Sequence, residues 1–261
     1  MLVSIIITTY NRPDALLLVL KSLEKQSNKI LEVIIADDGS GNETKEAINK
    51  FQESTSLKVI HSWQENLGFR AAMSRNKAIV LSNAEYIILI DGDVVLHESF
   101  VQDHINNSEK GFFIQGSRSL LTKKTTQDAL QKKRLYFSFF SKGVINRKNV
   151  IHSNFLSQLF LKKSKYLKGI KTCNMSFFKQ DCININGFNN DFVGWGREDT
   201  EFAVRLINNG ILRKNLRFNA IQFHLWHIIS KRQSLAKNDL ILKSSINSNS
   251  KWCKNGIKNF Y

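Results

Sequence analysis

Four short runs rich in β-branched apolar residues, each followed by a stretch of helical spacing, constrain this chain more than any other feature. The runs are "LVSIII" (2–7), "LEVIIADDGS" (31–40), "LKVIHS" (57–62) and "YIILID" (86–91). Continuous apolar runs of this length read as strands buried on both faces. Between them "DALLLVLKSLEKQ", "ETKEAINKF" and "GFRAAMSRNKAIVLS" have helical spacing. Pro13 suits the first turn of a helix, where its missing N–H is not needed. The alternation predicts an α/β fold with a mostly parallel sheet and helices on both faces. Ligands of such sheets sit beyond the carboxyl ends of the strands. Thr9, Tyr10, Asn11 and Arg12 follow the first run, Asp37 and Asp38 the second, and Asp91 and Asp93 the fourth.

The rest of the chain bounds the classes open to it. Its 261 residues suffice for one large domain, or one domain with an elaborate second lobe. A single Pro and 13 Gly argue against a long flexible linker, and no internal repeat is visible. Cys173, Cys182 and Cys253 form no CxxC pair and leave an odd count. That argues against a disulfide framework or a cysteine zinc site and for a reducing compartment. "MLVSIIITTY" lacks the basic n-region and the long apolar run of a signal peptide. No stretch of about 18 apolar residues offers a membrane span. The expected location is cytoplasmic.

Charge is unevenly spread. The whole chain has 38 Lys and Arg against 22 Asp and Glu, and residues 118–168 hold 13 of those cations against the single acid Asp128. Tyr136, Phe137, Phe139, Phe140, Phe155, Phe160 and Tyr166 are interleaved with them. The mixture suits an anionic membrane interface. It also suits nucleic acid, although no nucleic-acid motif accompanies it. A solvated helical face with a partly buried stripe would look the same. Beyond residue 169, "TCNMSFF" reads as a strand and "GFNNDFVGWGRED" as a glycine- and aromatic-rich loop. "DTEFAVRLINNG" reads as a helix with Gly210 at its C-cap, and "LRFNAIQFHLWH" as one or two strands. The tail after about Lys231 is polar and weakly patterned.

Four constellations carry chemistry. Asp91-Gly92-Asp93 ends a buried strand with two carboxylates, which can hold Mn²⁺ or Mg²⁺ shared with substrate phosphates. Gly92 lets the backbone approach a ligand closely. The plain alternative is a turn with solvated acids. Asp38, in "DDGS", can accept hydrogen bonds from a base or a ribose, or can simply belong to a turn. "GSGNET" is half of a dinucleotide fingerprint without its third glycine, and no P-loop is present. In "GWGREDTE", Trp195 offers a flat face for a sugar ring. Glu198 and Asp199 open a helix whose dipole favours the ionised form, ready for general-base work. Helix capping is the plain alternative. His224 and His227 in "FHLWH" are possible metal ligands beside Asp91 and Asp93.

Taken in order, "SIIITTYNR", "VIIADDGS", "ENLGFRAAMSRNKAI", "YIILIDGD" and "GWGRED" resemble the family 2 inverting glycosyltransferases of the GT-A fold. The segment from "TCNMSFFKQ" through "RLINNG" resembles the C-terminal part shared by β-1,4-galactosyltransferases and bacterial chondroitin-type polymerases. The resemblance covers about 2–116 and 169–230, leaving 118–168 without an inherited role. It implies a Rossmann-like, mostly parallel sheet flanked by helices, followed by a C-terminal acceptor-binding part. The implied division is a nucleotide-sugar half at 1–117, a basic aromatic insertion at 118–168, an acceptor and catalytic half at 169–230, and a tail at 231–261.

The resemblance also implies roles. Thr9, Tyr10, Arg12 and Asp38 fall where the family binds the uridine of a nucleotide sugar, Arg70 and Arg75 on the segment lining that site. Asp91, Gly92 and Asp93 match the DXD motif, with Asp93 the direct metal ligand. His224 aligns best with a third ligand, and His227 is its rival. Trp195, Gly196 and Asn174 fall about the donor and acceptor sugars. Asp199 sits at the catalytic base, paired with Glu198. Thr200 stands where galactosyltransferases have a third acid that touches the acceptor, so the acceptor is open. The implied cofactor is Mn²⁺ (or Mg²⁺). The implied partners are a UDP-sugar and a glycan or lipid-linked glycan, with peripheral contact to the inner face of a bacterial cytoplasmic membrane through 118–168 and no nucleic acid. The rival classes are a non-catalytic polyanion binder using 118–168 and a nucleotidylyltransferase. The latter would carry a Gly-rich basic loop where this chain has "TTYNRPD".

Overall fold

A computed structural model of the chain describes residues 1–26, 29–228 and 232–261. The four apolar runs form β1 (Val3–Thr9), β2 (Ile30–Asp37), β3 (Val59–Trp63) and β4 (Tyr86–Asp91). The helices between them are α1 (Pro13–Leu23), α2 (Asn42–Ser54) and α3 (Ala71–Leu81). All pairings among these strands are parallel, and β1 lies between β2 and β4. The period of two along β1 decides which helix covers which face. Ile5 and Ile7 pack with Leu16, Val19 and Leu20 of α1, while Ile6 points to the other face and packs with Ala72 and Ile79 of α3. A central strand covered on both sides has no room for polar alternation.

After β4 the chain makes β5 (Val94–Leu96), α4 (Phe100–Asn107) and β6 (Phe112–Gln115). Residues 118–168 then contribute β7 (Ser119–Leu121), α5 (Lys123–Lys132), β8 (Val144–Ile145), a 3₁₀ turn, α6 (Asn154–Leu159) and β9 (Lys162–Ser164). The remainder forms β10 (Asn174–Phe178), α7 (Lys179–Asn184), α8 (Glu198–Asn208), β11 (Leu212–Asn215), β12 (Gln222–His224) and α9 (Leu235–Asn247). The main sheet has the order β3-β2-β1-β4-β10-β6-β11-β9, and a second has β5-β12-β7-β8. Antiparallel strands enter the main sheet only from β10 outward. The expected strand, helix and Gly210 cap of the C-terminal half are present, with Gly210 at φ +86°. All three cysteines are buried free thiols.

Two features were less legible. The basic block is built into the fold: Leu121, Ala129, Phe137, Val144 and Val150 pack with Val95, Phe223 and Leu225 in a third core. Full burial of one such aromatic contributes about 2 kcal/mol. Its other aromatics divide from Phe137, with Tyr136, Phe140, Phe155 and Tyr166 strongly exposed. The weakly patterned tail carries α9, which packs on α8 through polar positions. Ser245 Oγ donates to Glu201 Oε1 at 3.1 Å, and the Asn238 side chain donates to Gly196 O at 2.9 Å. A helix docked through Asn and Ser shows no apolar stripe. The boundary expected at 230–231 touches residues outside those described.

Candidate active site

Strand register brings the first set of side chains together. Thr8 lies opposite Asp91 and Thr9 opposite Asp37, so β1, β2 and β4 end at one level. Asp37 turns inward, accepting from Ser40 N at 2.8 Å and pairing with His61 at 2.8 Å. Asp38 continues to the cavity side. Its two oxygens accept from Gln64 Nε2 at 2.6 Å and from the backbone N–H of Arg70 at 2.7 Å. Burial pushes its carboxyl above the usual range. Arg70 therefore serves this site through its backbone. The Arg75 guanidinium reaches in from α3, donating to Thr8 Oγ1 at 3.0 Å and to Glu198 Oε1 at 3.1 Å, with Asp91 at 3.9 Å.

Gly92 makes room for the end of β1. Its N–H donates to Thr8 O at 2.8 Å, and a side chain there would stand about 2.9 Å from Thr9 Oγ1. That close approach to β1 sets Asp91 and Asp93 as a pair at the strand end. Burial, and for Asp91 also its neighbour Asp93, raises both carboxyls above their usual range.

The antiparallel pairing of β12 with β5 delivers the histidines. His224 lies opposite Val94, and Leu225 N donates to Asp93 O at 2.8 Å. His224 Nε2 is 3.5 Å from Asp93 Oδ1 and His227 Nε2 is 3.5 Å from Asp93 Oδ2. Arg12 donates to Asp93 Oδ2 at 3.1 Å. One ligand atom from each of Asp93, His224 and His227 lies within 4.8 Å of the others. Burial, then the nearby Arg118 charge, pushes the His224 imidazole down to about 4, so it is neutral and free to ligate. Asp93 Oδ1 is buried without a hydrogen-bond donor. A buried, unsatisfied carboxylate oxygen facing two imidazoles fits a divalent cation. The two histidines stand together beside Asp93.

The acid pair comes from the loop before α8. Gly194 and Gly196 both have positive φ (+79° and +105°), and Arg197 between loop and helix has φ +80°. α9 and the residues before it hold this strained segment: Arg197 Nε donates to Asp239 of α9 at 2.5 Å, and the guanidinium of Arg232, ahead of α9, stands 5.1 Å from the centre of the Trp195 ring. Glu198 is ion-paired with Arg75, whereas Asp199 has no cationic partner within 4 Å among the described residues. Asp199 Oδ1 accepts from the Thr200 backbone N–H at 2.7 Å. Burial, then the charge of Glu198, pushes the Asp199 carboxyl up to about 7. A carboxylate poised there is suited to take a proton at neutral pH.

These side chains line one cavity of about 810 Å³, within the range of small-molecule sites. It brings together Thr9, Tyr10, Arg12, Asp38, Arg75, Asp91, Gly92, Asp93, Trp195, Glu198, Asp199, His224 and His227. Asn174 is a correction. It is buried in β10, its amide donating to Ser117 O and Ala220 O and its oxygen 3.0 Å from His104 Nε2. It braces the sheet and does not line the cavity. Gly196 shapes the loop without lining the cavity, as Arg70 does for the turn at Asp38. Sequence reasoning missed Arg118, Lys123, Lys171, Trp226 and Arg232, all of which line it. The charge of the four cations was visible, but nothing local marked which cations of a basic chain face inward, or that Trp226 joins them.

Comparisons with known proteins give the family and the fold. The family model "Glycosyl transferase family 2" matches residues 4–169, running through the basic block, and "N-terminal domain of galactosyltransferase" matches 156–227. The chain is similar to the chondroitin synthase of Escherichia coli, at 25% identity over 239 residues (85% of this chain, 34% of that protein). It is also similar to an Escherichia coli UDP-Glc:alpha-D-GlcNAc-diphosphoundecaprenol beta-1,3-glucosyltransferase, at 34% identity over 114 residues (43% of this chain, 44% of that protein). The chain thus spans less than half of each. Among solved structures, Staphylococcus aureus TarS 1–349 in complex with UDP superposes with a TM-score of 0.63 at 16% identity, over 94% of this chain and 65% of that one; this shows a shared GT-A fold. No described helix is long and apolar enough to cross a membrane. With the strand order, the acid-ended strands and the family match over most of its length, the chain belongs to glycosyl transferase family 2.

Proposed function

We propose that the chain moves one sugar from a UDP-sugar to a hydroxyl of a glycan acceptor, with inversion at the anomeric carbon. The observation that carries the reading is the shared cavity: a general-base candidate, Asp199, faces the same space as the Asp93–His224–His227 cluster. Residues 1–117 supply the nucleotide wall through Thr9, Tyr10, Arg12, Asp38 and Arg75. Residues 169–230 supply Trp195, Glu198, Asp199 and the histidines.

Asp199 accepts the proton of the acceptor hydroxyl at its carboxylate, and that oxygen attacks from the face opposite the leaving UDP. Arg75 ion-pairs Glu198 at 3.1 Å, which leaves Asp199 as the member of the acid pair free to meet the acceptor hydroxyl. Trp195 offers its ring face to a sugar. Asp93, His224 and His227, with Asp91 behind them, would hold Mn²⁺ in preference to Mg²⁺, because imidazole nitrogen suits Mg²⁺ poorly. Such an ion, when bound, neutralises charge developing on the departing diphosphate.

The acceptor class follows the relatives: one acts on a diphosphoundecaprenol-linked sugar by its name, which supports a lipid-linked or surface glycan in a bacterial polysaccharide pathway. The exposed Tyr136, Phe140, Phe155 and Tyr166 among lysines support peripheral contact with an anionic membrane face. The test is a donor screen. Protein with Mn²⁺ is given single UDP-, GDP- and CMP-sugars, nucleotide release is followed, and the best case is repeated with EDTA and with Asp93→Ala. Release of UDP that EDTA and the substitution abolish supports the reading. Silence with every donor together with no UDP binding overturns it and returns the chain to polyanion binding or nucleotidyl transfer.

A further inference from the structure

The two histidines beside Asp93 are held by different means. His224 ends β12, which lies between β5 and β7 and sets that residue opposite Val94 on one side and Leu120 on the other. Strand pairing fixes its backbone directly. His227 lies beyond the last ladder residue of β12, so its place depends also on what holds the two residues between. Leu225 N donates to Asp93 O at 2.8 Å, and the Leu225 side chain is buried in the third core. Trp226 N donates at 2.8 Å to Thr126 Oγ1, a hydroxyl from α5.

The sequence of α5 explains why a hydroxyl stands there. Lys123, Thr126 and Ala129 recur every third residue and share one side of the helix. Ala129 joins the third core that holds Leu225, and Lys123 Nζ stands 5.2 Å from the centre of the Trp226 ring. Thr126 lies between them on that side and is only 3% exposed. The helix is itself anchored at its start, where the Thr122 side chain accepts from Thr125 N at 3.4 Å. A main-chain N–H in such surroundings is costly to leave without an acceptor. The backbone at Trp226 therefore stays where Thr126 can receive it.

The next residue is His227. Its Nδ1 stands 2.7 Å from Ile228 O. A carbonyl only accepts, so Nδ1 carries the proton, and in the neutral ring Nε2 keeps its lone pair. That Nε2 is the atom 3.5 Å from Asp93 Oδ2. The imidazole is thus presented with its ligating nitrogen toward the carboxylate, on a backbone tied down one residue earlier.

We propose that Thr126 is a positioning residue for the cation site: its hydroxyl fixes the main chain at Trp226 and so sets His227 beside Asp93. This rests on the reading of Asp93, His224 and His227 as cation ligands. It gives the basic segment 118–168 a part in the site through α5, as a support rather than a ligand.

The experiment uses the full chain with UDP present and reads Mn²⁺ affinity by electron paramagnetic resonance. Thr126→Val and Thr126→Ala both remove the acceptor; valine keeps the shape, and alanine favours the helix should the first variant not fold. Thr126→Ser keeps the hydroxyl. Ile48→Val, in the core beneath α2 and away from the cavity, controls for lost stability alone. Thr126→Val and Thr126→Ala should weaken Mn²⁺ binding about tenfold, the usual cost of removing support behind a ligand, while Thr126→Ser and Ile48→Val stay within about twofold of the parent. Combined with His227→Ala, Thr126→Val should add no further loss, because the residue it acts through is gone. A parent that binds no Mn²⁺ overturns the cation cluster and this inference together. Mn²⁺ binding by the parent overturns the role of Thr126 alone in any of three cases: Thr126→Val and Thr126→Ala bind as the parent does, Thr126→Ser or Ile48→Val is weakened as much as they are, or the full loss persists in the His227→Ala background.

Discussion

Asp199→Asn should remove activity and raise stability at once. The carboxyl rises from 3.8 to about 7 in the fold. At 1.36 kcal/mol per pKa unit, that is about 4 kcal/mol of destabilisation when the group is ionised. Asp199 keeps some contact with solvent, so water screens part of this and about half, roughly 2 kcal/mol, is the working figure. For a carboxyl whose folded pKa is raised, the stabilising form is the protonated one. Its advantage is full below about pH 4 and is lost as pH climbs through 7. Asparagine never ionises, and its side-chain oxygen still accepts from Thr200 N as Asp199 does at 2.7 Å. The variant should therefore melt within about 2 °C of the parent at pH 4.5 and about 6 °C above it at pH 8, taking about 3 °C per kcal/mol for a chain of this size. UDP release stimulated by acceptor should fall by about 10²–10⁴, the usual contribution of a general base. Thermal melts across pH 4.5–8.5 and single-turnover assays read both. A variant that melts below the parent at pH 8, or that keeps transfer within threefold, refutes the account of Asp199 as a buried base held at the edge of ionisation.

Other perturbations test the surrounding structure. His224→Ala and His227→Ala should each weaken Mn²⁺ binding, measured by electron paramagnetic resonance, by about tenfold or more, because both imidazoles stand 3.5 Å from Asp93; an effect confined to one would reduce the cluster to a single imidazole. Glu201→Ala should cost about 3–5 kcal/mol in urea unfolding, since it strands a fully buried Arg205 that Glu201 grips with two bonds of 2.7 Å. A loss under 1 kcal/mol would show that water reaches that pair. Gly194→Ala should loosen α9 and slow transfer. Its φ of +79° costs a side chain about 1 kcal/mol, and the methyl would overlap Ser234. Unchanged protection of α9 amides in hydrogen exchange would exclude that coupling. Transfer by the parent should rise with pH through about 7 as Asp199 ionises, and a pH-independent rate between 5.5 and 8 would count against it.

What could be read from the chain alone is what short-range physics writes into it. Four β-branched runs alternating with helical spacing fix a parallel sheet, because a strand covered on both faces must be apolar throughout. Acids at the ends of such runs, where water and ligands begin, stand out against that background. Hence Asp38, Asp91 and Asp93 stand out as strand-end acids, and Glu198 and Asp199 as acids that open a helix after a Gly-Trp-Gly loop, before any fold is known. The tertiary structure decided everything that depends on which distant surfaces meet. Asn174 sits in a segment as suggestive as its neighbours, yet strand pairing turns its amide onto Ser117 and Ala220. The register of β12 against β5 sets both His224 and His227 on Asp93, where sequence spacing left a choice between them. α9 escaped notice because it is docked by Asn238, Ser245 and Asp239, polar contacts that leave no periodic trace. The inward set of cations was hidden for the same reason. Net charge is a sum over residues and is readable in any order, whereas the cavity that Arg118, Lys171 and Arg232 line exists only once the chain has closed around it.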